Sequence, residues 1–248
     1  MSSDAQLAAE LATTAGRLLL DVRVELADAA PSVRKDAGDR RAHELLAAAL
    51  ARARPADALL SEEGVDDARR LSAERVWIVD PLDGTREFSE SGRTDWAVHV
   101  ALWQAGELVA GAVALPAQDR TFSTADPVGL PMAGNVLRLV VSRTRPPSLV
   151  VRLAEQLGAE LVPMGSAGAK AMSVLQGHSE GYVHGGGMYE WDSAAPVAVA
   201  RAAGLHASRL DGSPLIYNQP DPYLPDLVIC RPELASVLLL AIAVALGS

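Results

Sequence analysis

Residues 77–89 read WIVDPLDGTREFS. An apolar run from Val76 to Val79 ends on Asp80, and a second carboxylate, Asp83, follows across a Pro81-Leu82 corner, with Gly84 and Thr85 next. A buried strand that delivers two carboxylates to its C-terminal mouth offers hard oxygen ligands to a divalent cation. A glycine beside them lets the backbone approach a ligand closely, which makes a seat for an anion. The stretch therefore points to metal-assisted phosphoryl chemistry.

Working outward, Asp4 to Ala27 carries Leu7, Leu11, Leu18 and Val22 at helical spacing and predicts an amphipathic helix. Ala30 to Asp39 is polar, with a proline and a glycine, and reads as a loop; Arg41 to Arg52 reads as a second helix. Asp57 to Leu60 predicts a short strand running into Ser61-Glu62-Glu63-Gly64. Asp95 to Trp103 alternates, with Trp96, Val98, Val100 and Leu102 on one face, and Glu107 to Leu115 is a further strand. Ala125 to Gly134 collects prolines and glycines and divides the chain into lobes of about 1–134 and 135–248 within a single domain.

Beyond that point strands and helices alternate: Val136 to Ser142, Pro147 to Leu157, Glu160 to Met164, Ala167 to Leu175, Gly181 to His184, Ser193 to Ala203, Asp226 to Cys230 and a last helix. The pattern is α+β in the first half and α/β in the second. Leu234 to Leu246 is too short to span a bilayer and is expected to be a buried terminal helix.

Composition narrows the partners. A net charge of -9 over 248 residues leaves no electrostatic footprint for nucleic acid or an anionic membrane. Cys230 is the only cysteine, so no disulfide framework exists within the chain, and without a basic n-region a reducing cytoplasm is the default location. The chain holds 20 arginines but only two lysines, Lys35 and Lys170; a position that keeps lysine is a candidate for needing a compact ammonium. Gly185-Gly186-Gly187 lacks the Lys-Ser/Thr of a Walker loop and reads as a turn leading to Asp192. His43 and His99 read as structural residues.

Alone, Glu62-Glu63 is a solvated pair and Asp192 a helix cap. In order, however, Glu-Glu, Asp-Pro-Leu-Asp-Gly-Thr and Trp191-Asp192-Ser193-Ala194-Ala195 resemble the inositol monophosphatase superfamily of lithium-sensitive, Mg²⁺-dependent phosphatases, from about Lys35 to Asn218. The resemblance implies a layered αβαβα sandwich. Arg86-Glu87-Phe88, Ser142-Arg143, Met164-Gly165-Ser166 with Lys170, and Asp211 to Asn218 look like the branch that acts on 3'-phosphoadenosine 5'-phosphate, the CysQ type of sulfur metabolism. Inositol-specific members usually carry a Glu before the glycine turn; this chain reads Tyr182-Val183-His184-Gly185 there. The segment Lys35 to Asp39 is shorter than is usual and lacks the customary Thr.

By that resemblance, Glu62, Asp80 and the Leu82 carbonyl hold one Mg²⁺, and Asp80, Asp83 and Asp192 hold a second; a third would lie near Asp39. Gly84 and Thr85 seat the phosphate. Glu62, Thr85 and Asp39 are the catalytic candidates, with Glu62 and Thr85 activating water. Arg86, Ser142, Ser166 and Lys170 are the candidates for substrate recognition. The expected partners are a small phosphorylated substrate and a second copy of the chain. Rival readings are a phosphatase for inositol-1-phosphate, fructose-1,6-bisphosphate or histidinol phosphate, and a non-catalytic nucleotide sensor on the same fold.

Overall fold

The computed structural model describes residues 3–132 and 134–247. Two helices, α1 (Asp4–Glu25) and α2 (Pro31–Ala53), precede a five-stranded sheet of β1 (Ala58–Ser61), β2 (Arg75–Asp83), β3 (Ala97–Gln104), β4 (Glu107–Leu115) and β5 (Arg120–Ser123), in that spatial order. A five-residue helix, α3 (Thr85–Ser89), follows β2. The second half contains β6 (Arg138–Ser142), α4 (Ser148–Leu157), β7 (Glu160–Met164), α5 (Ala167–Leu175) and β8 (Gly181–His184). It ends with β9 (Met188–Tyr189), α6 (Glu190–Ala202), β10 (His206–Ser208), β11 (Tyr223–Leu224), β12 (Leu227–Cys230) and α7 (Ala235–Leu246). The second sheet has the order β10-β12-β8-β6-β7, and β9 pairs with β11.

Strand alternation builds five layers from these parts. Trp77, Val79, Val98, Val100 and Leu102 face α1 and α2. Val76, Ile78, Ala97, Ala101 and Val113 face the opposite way, onto α5 and α6, which also receive Val140, Tyr182, Leu227 and Ile229 of the second sheet. Leu139, Val141, Val183, Val228 and Cys230 complete the stack against α4 and α7. The result is the αβαβα sandwich, with α5 and α6 as a middle layer shared by both sheets. Each fully buried side chain of Val, Leu, Ile or Phe size contributes about 1.5–3 kcal/mol, so burying both faces of both sheets is the main source of stability.

Two expectations are corrected. Residues 31–39 are helical rather than a loop. Pro31 stands where a helix needs no N–H, and Arg34 donates to the carbonyls of Leu26, Ala27, Ala29 and Ser89, which fastens the turn. Gly38 is required there: a Cβ would lie 2.9 Å from both Leu82 and Phe88, so the helix rests directly on the 80–88 segment. The terminal helix α7 is only half buried. Leu238, Ala241 and Ile242 face inward, whereas Val237, Leu240, Val244 and Leu246 are exposed. Among the described residues no helix is long and apolar enough to cross a membrane.

In the second sheet β6 is parallel to both β7 and β8. The chain leaves β6 through α4 on the outer face to reach β7, then crosses back through α5 on the inner face to reach β8. Successive connections thus diverge from β6, and a crevice must open at the carboxyl ends of β6 and β8, the place where open α/β sheets bind ligands.

Candidate active site

Alternation carries Asp80 to the middle layer, in line with Val76 and Ile78. Its carboxylate accepts the Leu82 N–H at 3.0 Å, which closes the Pro81-Leu82 corner. The corner shifts the register of β2 against β3 and lets Asp83 turn inward as well. Gly84 then adopts φ +83°, a conformation natural to glycine, and a Cβ there would approach Ser166 Cβ to 3.0 Å. Thr85 opens α3, whose Phe88 N–H returns to the Gly84 carbonyl at 2.9 Å.

Asp192 comes from α6. It is the third residue of that helix rather than its cap, and it accepts the Tyr189 N–H at 2.6 Å. Because α6 begins at Glu190, Pro196 lies in its second turn, where it cannot donate to the Asp192 carbonyl. Ligand oxygens of Asp80, Asp83 and Asp192 lie within 4.8 Å of one another. Glu62 stands at the edge of this group, close enough to Asp80 for each carboxyl to perturb the other. Asp39, on α2, lies within electrostatic reach of Glu63 and Glu62. Leu82, the remaining expected ligand, is buried between Asp80 and Asp83.

Like charges at such separations cannot all persist in a partly desolvated site. Burial, then the charges of Glu62, Asp83 and Asp192, push the Asp80 carboxyl well above the carboxylate range. Burial and Asp83 raise Asp192 to about 6. Glu62 keeps part of its surface in solvent, yet the protein wall behind it and the charge of Asp192 raise it to about 7. Burial, Glu63 and Glu62 raise Asp39 to about 7 as well.

Asp83 is the exception. Burial alone would raise its carboxyl, but His99, Lys170 and Ser166 hold it below the usual range. The Ser166 hydroxyl donates to Asp83 Oδ2, the Gly168 N–H donates to the same oxygen at 2.7 Å, and the Ala167 N–H donates to Oδ1 at 3.1 Å. Asp83 thus sits on the N-terminus of α5, where the helix dipole favours a negative charge. His99 Nε2 lies 3.2 Å from Asp83 Oδ2, and its Nδ1 lies 3.1 Å from the Trp191 carbonyl. A Cβ at Gly168 would fall 2.1 Å from His99 Nε2, so the helix reaches the imidazole only as glycine. The sequence pattern reads His99 as a structural residue of a strand; the fold makes it a direct neighbour of Asp83, and although burial opposes it, the Asp83 carboxylate raises the imidazole pKa.

An all-oxygen set with this surplus of negative charge suits hard divalent cations. Among the described residues, Asp80, Asp83 and Asp192 form a group that could hold one.

The crevice between β6 and β8 is a cavity of about 640 Å³. Its lining includes Ser142, Arg145, Lys170, His184 and Gly185 to Gly187. The Lys170 ammonium is buried, donates to the Ser166 carbonyl at 2.7 Å and lies 5.3 Å from the Tyr182 ring centre. Burial lowers its pKa, while Asp83 and Glu87 oppose the shift. Lys170 thus belongs to both the cavity and the carboxylate cluster. His184 donates through Nε2 to the Gly187 carbonyl at 2.8 Å and fixes the glycine turn.

Of the expected substrate residues, Ser142 and Lys170 share the cavity, Ser166 is committed to Asp83, and Arg86 lies exposed outside the lining. Arg145, which sequence reasoning missed, adds an exposed cation to the cavity wall; its place three residues beyond β6, at a strand end, was the available signal.

The inositol monophosphatase family model matches residues 4–243. A Mycobacterium leprae protein named 3'-phosphoadenosine 5'-phosphate phosphatase is 54% identical over 253 residues, covering 96% of this chain and 92% of that protein. The 3'(2'),5'-bisphosphate nucleotidase CysQ of Shigella flexneri is 31% identical over 200 residues, 76% of this chain and 81% of its own length. The crystal structure of CysQ from Bacteroides thetaiotaomicron superposes with a TM-score of 0.76 at 28% identity, covering 92% of this chain and 97% of that one. With nearly the whole chain accounted for by sequence and by fold, the protein belongs to the inositol monophosphatase family of phosphatases.

Proposed function

We propose that the protein is a Mg²⁺-dependent, Li⁺-sensitive phosphatase that hydrolyses the 3'-phosphate of 3'-phosphoadenosine 5'-phosphate to AMP and phosphate, a reaction of sulfur assimilation. The observation that carries this reading is the cavity beside the carboxylate cluster, with Lys170 in the wall between them and Arg145 further out. A reacting phosphate at the cluster leaves room for a nucleoside and places cations within reach of a second phosphate. The 54% identity to a protein named for this activity supports the same substrate.

Asp80, Asp83, Asp192, Glu62 and the Leu82 carbonyl are the proposed metal ligands. When bound, Mg²⁺ lowers the pKa of water and neutralises charge on the leaving oxygen, the chemistry that phosphate monoester hydrolysis needs. The chain's own groups do the rest. Backbone N–H groups of Gly84 and Thr85 seat the phosphate. Glu62, at the edge of the cluster, is the carboxylate proposed to take a proton from the attacking water, which the Thr85 hydroxyl orients. Asp39 lies near enough to that carboxylate to feel its charge. The buried Lys170 and the Asp83–His99 pair hold the electrostatic frame fixed, so no reorganisation accompanies the reaction.

The test is phosphate release from 3'-phosphoadenosine 5'-phosphate, 3'-AMP, inositol-1-phosphate, fructose-1,6-bisphosphate and histidinol phosphate, in Mg²⁺ with and without Li⁺. The bisphosphate nucleotide is expected to lead in kcat/KM by at least ~10-fold, the worth of one charge-assisted contact. A lead for inositol-1-phosphate overturns the substrate. Insensitivity to tens of millimolar Li⁺ removes the metal arrangement.

A further inference from the structure

Two separate points of resemblance in the sequence, Arg86-Glu87-Phe88 and Ser142-Arg143, meet as one contact in the fold. Arg143 stands one residue beyond β6. Its Nε donates to Glu87 Oε1 at 2.7 Å and its Nη2 to Glu90 Oε1 at 2.6 Å. Its backbone N–H donates to the Met164 carbonyl at 3.2 Å, which ties the loop after β6 to the end of β7. Glu87 is buried on α3 and pressed against Gly165, where a Cβ would fall 2.2 Å from its carboxyl carbon. The Gly165 N–H in turn donates to Asp95 Oδ2 at 2.6 Å. Neither Glu87 nor Arg143 lines the cavity, but the neighbours of Arg143, Ser142 and Arg145, both do.

The pair therefore ties the proposed phosphate seat to the loop that contributes to the cavity lining. α3 begins at Thr85, proposed above to seat the reacting phosphate, and Ser142, Thr144 and Arg145 belong to the cavity lining. One guanidinium fork reaching Glu87 on α3 and Glu90 just past its end fixes both the distance and the direction between these elements. A single ammonium cannot do this. Fold stability gives little reason for a charged pair here, since apolar side chains of similar volume commonly serve as well.

We propose that Glu87 and Arg143 are a positioning pair that sets the spacing between the phosphate seat and the cavity wall, and so selects substrates carrying a second anion at nucleotide distance from the reacting phosphate. The proposal rests on the nucleotidase reading above.

The experiment compares 3'-phosphoadenosine 5'-phosphate with 3'-AMP, which lacks the distal phosphate. Both are assayed with the wild type, Arg143→Lys, Glu87→Gln and the double variant Glu87→Gln/Arg143→Met, with thermal midpoints taken alongside. In the single variants KM for the bisphosphate should rise roughly 10-fold or more, the size of one weakened charge-assisted contact, with kcat held within about 3-fold. kcat/KM for 3'-AMP should stay within about 2-fold. The double variant should be no worse than the single ones, because the partners act as a unit. Glu87→Gln keeps shape and volume, so it still tests the idea if Arg143→Lys folds poorly.

Equal losses on both substrates, or unchanged kinetics with a lowered midpoint, would make the pair a structural strut and overturn the proposal. If the wild type itself does not distinguish the two nucleotides, the substrate reading falls and the selective role with it. If the wild type discriminates and the variants do so equally well, only the role of the pair falls.

Discussion

Asp83→Asn separates the charge of this residue from its shape, and the structure makes the outcome harsher than an isosteric exchange suggests. If the amide nitrogen replaces Oδ1, it faces the Ala167 N–H at 3.1 Å; if it replaces Oδ2, it faces the Gly168 N–H at 2.7 Å. In either orientation a buried donor loses its acceptor, at a cost of about 1–3 kcal/mol. Loss of the negative charge at the N-terminus of α5 adds about 0.3–2 kcal/mol. Together these give ~3 kcal/mol, which lowers Tm by roughly 6–12 °C in a chain of this size. Turnover should fall at least ~10²-fold, ~2.7 kcal/mol of barrier, because the cluster loses one of its charges. Thermal unfolding by circular dichroism and phosphate release in saturating Mg²⁺ read the two effects independently. A variant with wild-type Tm shows that α5 does not depend on Asp83, and one with near-normal turnover shows that the metal cluster has been misassigned.

Two other outcomes follow from the same charges. Glu62 and Asp39, at about 7, and Asp192, at about 6, are all raised, so the folded state holds protons that the unfolded chain releases, and stability falls as pH rises from the ordinary carboxylate range up to those values. In EDTA, Tm at pH 5.5 should exceed Tm at pH 7.5, and Mg²⁺ should raise Tm more at the higher pH; a Tm in EDTA that is flat or rises over this range contradicts the crowding of carboxylates. Lys170→Met should cut kcat/KM for 3'-phosphoadenosine 5'-phosphate ~10- to 10³-fold and that for 3'-AMP less than ~10-fold, since the ammonium serves both the distal anion and the Ser166 turn; equal losses would confine Lys170 to the shared site.

Where the sequence carries a regular period, it anticipated the fold closely. The strand expected at Glu107 to Leu115 and the elements expected at Glu160 to Met164, Ala167 to Leu175 and Gly181 to His184 coincide with β4, β7, α5 and β8. The first turns of α2 escaped because their support is tertiary: Arg34 reaches four carbonyls outside the helix, and Gly38 is there for contact rather than for flexibility. Strands β9, β10 and β11, of two or three residues, are too short to hold a pattern. In the site, Asp80, Asp83 and Asp192 were legible as a motif and do converge. The attachment of Asp83 to α5 and His99 was not, because each partner is distant in sequence and ordinary in type. Glu87 was legible as a signal but not as a contact with Arg143.

The middle layer of α5 and α6 has a consequence for how the molecule is made. Both helices follow the first sheet in the chain, yet they cover its inner face and one of them brings Asp192 to the carboxylates of β2. During synthesis the first sheet emerges well before its cover. A nascent chain paused within residues 125–134 exposes Val76, Ile78, Ala101 and Val113 as a bare apolar surface, the kind that chaperones bind and that aggregates. The carboxylate cluster cannot exist until α6 has docked, so onset of activity during refolding times the closing of the whole stack rather than the formation of either sheet.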